Sequence, residues 1–328
     1  MRMLVIYTGG TIGMRQGADG LAPEPGWLRG ELARAHPDLD VLEYPTLLDS
    51  SSMGPQDWVR IAHDIVAHAA LYDGFLVLHG TDTLAWTAAA LAYQLPGLGK
   101  PVVLTGAMRP WGTPQGDAER NVRAALALLA EADAPPVSVV FADRAYCATR
   151  VRKLDCTSAH AFDTPNAAPL GEFDGEAWRG VATLPVADCR EVMPQPLATK
   201  ARVLHLVLAP GAQLDWIAAQ LDRDLPEALL LSTFGSGNLP AHPCLMAVLA
   251  RLAALIPVVN LTPCLRGSVG MGLYAASGPL ARAGVWNGGD MTPEAAYVKL
   301  HWLLARPGSL ANWRTRFEAP LAGDRTPK

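Results

Sequence analysis

The sequence predicts an α/β protein built as two domains. Three observations carry this: a chain of 328 residues, short continuous apolar runs alternating with helical patterns, and a break in that rhythm near residue 190. At roughly 100–200 residues per domain, the length suits two. Hydrophobic residues make up 50% of the chain and charged residues 18%, which excludes disorder for most of it.

The first strands are predicted at 3–8, 41–44, 74–79, 101–105 and 137–141. Between them, 27–35, 56–70, 83–95 and 118–132 read as helices. Trp58, Ile61, Ala62 and Ile65 illustrate the spacing of three and four that lines one helical face. Strands without apolar/polar alternation fit a mostly parallel sheet covered on both faces. The stretch DCREVMPQPLATK holds two prolines and mixed charge, so 188–201 is expected to link an N-terminal domain (1–187) to a C-terminal one (202–328). Strands at 203–208, 228–233 and 256–261, with helices at 213–221, 244–255 and 293–304, give that second, smaller α/β domain. Residues 16–26, rich in Gly, Pro and Ala, follow the first strand where a lid would cover a site at the sheet's carboxyl edge.

Composition excludes several function classes. With 27 basic and 31 acidic residues and no long block of like charge, the chain offers no cationic face for nucleic acid. The most apolar stretch, 247–261, carries Arg251, Pro257 and Asn260, so no membrane span is expected. The N-terminus runs straight into a strand pattern without a small-residue cleavage site, and five cysteines form no CxxC pair. Both fit a cytoplasmic protein with reduced thiols rather than a disulfide framework or zinc site.

Ligands of open α/β sheets bind beyond the strands' carboxyl ends. Four loops are predicted there: Thr8-Gly9-Gly10-Thr11-Ile12-Gly13, Asp49-Ser50-Ser51-Ser52, His79-Gly80-Thr81-Asp82-Thr83 and Thr105-Gly106-Ala107-Met108-Arg109-Pro110. The first is not a dinucleotide fingerprint, because Thr8 stands at the first glycine position and no acidic residue follows at about 20. Glycines around Thr11 instead let a carbonyl approach its hydroxyl, which can attack it. Thr81 or Asp82 is expected to cap the following helix, yet together they also offer a hydroxyl, a carboxylate and free N–H groups at a positive helix end. A threonine nucleophile needs a base, and Lys153 is available in Arg150-Val151-Arg152-Lys153-Leu154-Asp155, although such a charge run by itself usually marks a solvated face. His63 and His68 are five apart and make no metal pair.

Taken together, these loops resemble the bacterial-type L-asparaginase family, nearest its cytosolic type I members. The residues are TGGTIG at 8–13, LLDSS at 47–51, HGTDT at 79–83, TGAMRP at 105–110, Lys153, FGSGN at 234–238, VNLTPC at 259–264 and GDMTPEA at 289–295, and they span nearly the whole chain. The resemblance implies an asparaginase/glutaminase-like α/β fold, with a larger N-terminal sheet in flavodoxin-like order and a smaller parallel C-terminal sheet. It implies hydrolysis of L-asparagine without metal or cofactor. Thr11 would be the nucleophile, and Thr81, Asp82 and Lys153 a second triad. Asp82 would also hold the substrate ammonium, Ser50 with Asp49 and Ser51 its carboxylate, and the backbone at Thr11, Thr81 and Ala107 the rest. A homo-oligomer, dimer or dimer of dimers, is implied, with the site built against a neighbouring subunit.

This chain departs from the pattern at two places. The lid tyrosine of many relatives is matched by Leu21, leaving Tyr274 as a candidate activator from the partner subunit, or as interface packing. Ser232, ahead of Thr233 and Phe234, replaces an arginine of the allosteric asparagine site of some relatives, while Cys264 is kept, so allosteric activation is not expected. Two alternatives stay open: broader action on glutamine, since one methylene changes discrimination by only about 1–3 kcal/mol, and a non-catalytic nucleotide-binding protein.

Overall fold

The computed structural model describes residues 1–18, 20–182, 193–272 and 278–327. They form two compact units, Met1–Gln195 and Pro196–Lys328. The predicted linker at 188–201 lies partly outside the described residues.

The first unit starts with β1 (Met3–Gly9), a hairpin of β2 (Met14–Gly17) and β3 (Gly20–Pro23), α1 (Trp27–Ala35) and β4 (Asp40–Leu48). It continues through α2 (Pro55–His68), β5 (Gly74–Leu78), α3 (Leu84–Gln94), β6 (Val102–Thr105), α4 (Ala118–Leu129) and β7 (Val137–Phe141). Strands β4, β1, β5, β6 and β7 lie side by side in that order and all run parallel. Counted along the chain this is the order 2-1-3-4-5, the flavodoxin-like arrangement. Every residue of β5, β6 and β7 is buried, as the unbroken apolar runs require.

The sheet is mixed rather than purely parallel. Beyond β7 it adds β8 (Arg144–Cys147), which turns back antiparallel, then β11 (Gly171–Phe173) and β12 (Trp178–Arg179), with the two-residue pair β9 (Arg152–Lys153) and β10 (Phe162–Asp163) between them in sequence. Runs of two to four residues have no readable period, so no sequence pattern announces them. The predicted lid is the β2–β3 hairpin, closed by Gly17 opposite Gly20 and tied by an Arg15–Glu24 ion pair of 2.9 Å.

Local chemistry explains the helices that frame the site. Helix α2 opens with Pro55 at its first position, and the Asp57 carboxylate accepts the Gly54 N–H at 2.9 Å. Its predicted face, Trp58, Ile61, Ala62 and Ile65, is buried, each large side chain contributing about 1.5–3 kcal/mol. Helix α3 is apolar on every side, and ten of its eleven residues are buried.

In the second unit β13 (Val203–Val207), β14 (Ala228–Ser232), β15 (Val258–Leu261) and β16 (Trp286–Asn287) form a parallel sheet in sequence order. Helices α5 (Gln213–Arg223) and α6 (Pro243–Ala253) supply Leu214, Ile217, Leu245 and Leu249 to its core. After α7 (Gly278–Arg282) come α8 (Pro293–Leu304) and α9 (Leu310–Glu318). The fully buried Lys299 amine on α8 is met by Asp324 Oδ2 at 2.6 Å and by the carbonyls of Phe317 and Ala319 at 2.8 and 2.7 Å. Desolvation lowers its pKa while Asp324 pulls the other way.

What positions the site is the edge where β1 and β5 end together, their last pair being Tyr7 with Leu78. The backbones that follow touch: a Cβ added at Gly10 would collide with Gly80, and Gly10 has φ of +93°, where side chains are strained. G10A is therefore expected to destabilise the protein by about 2 kcal/mol or more and to remove activity. Denaturant unfolding checks this; an unchanged midpoint with full activity would contradict the close approach.

Candidate active site

In a 2-1-3 order the chain leaves β1 to one side and later returns to the other, so a crevice opens between the loops after β1 and β5. A cavity of about 230 Å³ lies there, lined by Gly10, Thr11, Met14, Asp49, Ser50, Gly80, Thr81, Asp82, Met108, Lys153 and Cys156. A second cavity, of about 440 Å³, sits around the amino ends of β6 and β7, with Leu95, Leu98, Pro101 and Pro136 among its walls. Its one lysine, Lys100, is already bonded to the carbonyls of Ala69 and Tyr72. The smaller cavity has the convergent reactive groups.

Thr11 opens a single 3₁₀ turn, Thr11–Gly13, held by Gly13 N–H donating to the Gly10 carbonyl at 3.2 Å. The same turn is pinned by Trp111 N–H to the Ile12 carbonyl at 3.0 Å. Beneath it the Tyr7 side chain fills the place a Cβ at Gly13 would take. Burial pushes the Tyr7 phenol pKa upward, and Glu43 adds to the effect.

Thr81 is buried and Asp82 is exposed. Neither caps α3. Thr83 occupies the N-cap position, but its hydroxyl accepts no N–H of the helix end and donates instead to the Ser50 carbonyl at 2.6 Å. That bond ties the HGTDT loop to the DSS loop, because a chain turning through a crowded edge satisfies its carbonyls with the nearest donor. In the DSS loop the Asp49 carboxylate accepts the Ser51 N–H at 2.9 Å, fixing a short turn that buries Ser50.

Lys153 arrives from β9, about 70 residues downstream of Thr81. Its Nζ donates to Thr81 Oγ1 at 2.8 Å and to Asp82 Oδ1 at 2.7 Å. The lysine side chain is 18% exposed and that of Asp82 61%. The basic run around it is not a solvated face: Arg150 is buried and donates to the Asn166 carbonyl at 2.8 Å.

The structure thus brings Thr11, Thr81, Asp82, Lys153, Asp49 and Ser50 to one cavity. Ser51 is exposed and does not line it; the Ala107 side chain is packed into the hydrophobic core, which does not bear on the backbone role expected of it, and Met108 lines the cavity. The 105–110 loop is held by Asp117, whose two oxygens accept the N–H groups of Met108 and Arg109 at 2.8 and 2.9 Å. Leu21 sits on β3, about half exposed and not among the lining residues. Tyr274 lies outside the described residues. Ser232 is buried in the second unit, bonded to His205 at 2.9 Å. Sequence reasoning misses Met14, Met108 and Cys156 as cavity walls. Met108 lies inside the 105–110 loop, Met14 directly after the first loop and Cys156 three residues after Lys153, so position near the motifs is the one signal that could have flagged them.

Residues 2–183 match the family model described as "Asparaginase, N-terminal", and residues 202–317 match "Glutaminase/Asparaginase C-terminal domain". The chain belongs to the asparaginase family. It is 39% identical over 337 residues to L-asparaginase 1 of Escherichia coli K12, covering 98% of this chain and 97% of that protein. Among solved structures, the thermostable L-asparaginase from Thermococcus kodakarensis superimposes with a TM-score of 0.89 at 30% identity, over the whole of both chains. L-asparaginase I from Vibrio cholerae gives 0.88 at 36% identity, covering 99% of each. Among the described residues no helix is long and apolar enough to cross a membrane, and no three metal-binding side chains gather.

One buried group under this site has a readable pH signature. His79 is fully enclosed, and desolvation lowers its pKa from 6.5 to about 4, against small opposing effects of Gly80 and Asp57. Between these values the unfolded chain binds the extra proton, so stability is full above about 6.5 and falls as pH drops toward 4. The loss from this group is on the order of 3 kcal/mol. Unfolding free energies across that window should fall less steeply in H79N than in the parent; equal slopes would contradict a neutral buried imidazole.

Proposed function

We propose that this chain hydrolyses L-asparagine to L-aspartate and ammonia through an acyl-enzyme on Thr11. What supports the reading most is one arrangement: a lysine amine within 2.8 Å of a threonine hydroxyl and 2.7 Å of a carboxylate, in a cavity that a second threonine also lines. Family membership supports the reaction, and the cavity's groups suit the substrate's parts. The Asp82 carboxylate pairs with the α-ammonium. The Ser50 hydroxyl, with Asp49 and Ser51 beside it, receives the α-carboxylate. The side-chain amide then lies between the two threonine loops.

The chemistry balances in two steps. Thr11 Oγ1 attacks the amide carbon, its proton passes to the leaving nitrogen, and ammonia departs to leave a β-aspartyl ester. Water then attacks that ester. Thr81, Lys153 and Asp82 carry its proton, the lysine amine accepting and returning it while the carboxylate holds the amine in place. The water's oxygen ends in the aspartate carboxyl, and the Thr11 hydroxyl is restored. Backbone N–H groups at Thr11 and Thr81 suit the transient oxyanion. The reading includes a cytoplasmic homo-oligomer, dimer or dimer of dimers, in which Tyr274 of a neighbouring copy completes the site. With Leu21 at the lid position, the hairpin has no phenol to offer Thr11 there.

Ammonia release from L-Asn, L-Gln and D-Asn by the purified protein, with no added cofactor, tests this. The expected order is L-Asn fastest by kcat/KM. T11A and T81V should each lower kcat by a factor on the order of 10⁴ or more with unchanged circular dichroism. Full activity in both variants would remove the mechanism; equal kcat/KM for L-Gln would broaden the substrate.

A further inference from the structure

The mechanism above makes no use of His79, a titratable side chain with no solvent exposure directly beneath the cavity floor. Its backbone N–H donates to the Thr105 carbonyl at 2.9 Å, and a Cβ at Gly106 would collide with its carbonyl, so its main chain cannot shift. Its imidazole makes two bonds. Nδ1 lies 2.7 Å from the Gly80 carbonyl and Nε2 lies 2.8 Å from the Thr87 hydroxyl on α3. A carbonyl oxygen can only accept, so Nδ1 carries the hydrogen. Nε2 of the neutral ring then has a lone pair, and the Thr87 hydroxyl donates to it.

Gly80 and Thr81 both line the cavity, and one planar trans peptide joins them. In such a peptide the carbonyl of one residue and the N–H of the next point in opposite directions. Drawing the Gly80 oxygen down to His79 therefore turns the Thr81 N–H up toward the cavity. Among the described residues that N–H has no backbone acceptor. A glycine at 80 has unusual backbone freedom, so a peptide of this kind needs an external anchor to stay aimed. Thr87 supplies the second point of support, one helical turn into α3, which is the most completely buried helix near the site.

We infer that His79 is a positioning residue for the reaction: through the Gly80 carbonyl it aims the Thr81 N–H at the substrate amide oxygen, with Thr87 fixing the ring. The inference rests on the two-threonine reading of the site and adds to it a buried Thr87–His79–Gly80 relay of orientation. No proton is transferred along it. The ring stays neutral, and its work is to keep one dipole preorganised where charge develops.

Two amide substitutions separate this role from simple filling. In H79N the side-chain amide nitrogen falls where Nδ1 stands and can still donate to Gly80. In H79Q it falls where Nε2 stands, reaches Thr87, and leaves the Gly80 oxygen without its donor. H79N is expected to keep kcat within about tenfold of the parent. H79Q and H79L are expected to lose on the order of 10²-fold in kcat, with KM changed less than about threefold, as for removal of one oxyanion donor. Equal kcat for H79N and H79Q, whether both high or both low, would overturn the inference. A tautomer measurement on the parent protein keeps the question open to refutation if the variants fold poorly. The ¹⁵N shifts of the His79 ring should report Nδ1–H from pH 6 to 8, and an Nε2–H ring or an imidazolium would overturn it. Failure of the threonine reading is distinguishable, because it would appear as unimpaired T11A or T81V with the His79 tautomer unchanged.

Discussion

The site depends on two peptide backbones meeting with no side chain between them. Gly10 follows β1 and Gly80 follows β5, and adjacent parallel strands that end in register deliver both to one point. Only at that separation can Thr11 and Thr81, each one residue further on, line the same small cavity. Everything else at this edge serves to hold the contact. Thr83 ties the second loop to Ser50, Trp111 ties the first to the 105–110 loop, and Asp117 ties that loop to α4. The glycines are constrained by proximity here, and their conformational cost in the unfolded chain is the price of that geometry.

Charge is distributed by depth. The Asp82 carboxylate and Asp49 stand at the exposed side, where a zwitterionic amino acid can exchange its hydration for theirs. Lys153 sits partly enclosed between Asp82 and Thr81. Below the loops the polar groups are neutral: Thr8 donates to the Leu78 carbonyl at 2.9 Å, Thr105 to the Val140 carbonyl at 2.6 Å, and His79 is kept uncharged by burial. A buried ion at that level would need a partner, and none of these strand ends supplies one. Neutral hydrogen bonds there set orientation without competing with the substrate's own charges.

Much of this was legible in the sequence because the first-domain strands are long, apolar and separated by helices with clear periodicity. The glycine-flanked threonines at 11 and 81 announced themselves for the same reason, falling just after strands β1 and β5. Two features were hidden. The antiparallel extension from β8 to β12 consists of pieces too short to carry a period. The N-cap of α3 fell to Thr83 rather than Thr81 or Asp82, since a tertiary contact to Ser50 decided which hydroxyl turned where. Lys153 is legible as the candidate base from its motif, although its charge run by itself reads as a solvated face; that Arg150 beside it is buried is something only the packing of the 144–166 segment reveals. Ala107 is expected to act through its backbone, and its side chain belongs to the core while Met108 lines the cavity.

The central claim is that Thr11, not Thr81, becomes covalently bound to substrate. Rapid acid quench of the protein turning over L-asparagine, followed by peptide mass mapping, reads this directly. The account predicts an aspartyl ester on the peptide that contains Thr11, accumulating further in K153M, where ester hydrolysis is slowed. An ester on the peptide that contains Thr81, or turnover with no ester on either peptide in both proteins, would contradict it.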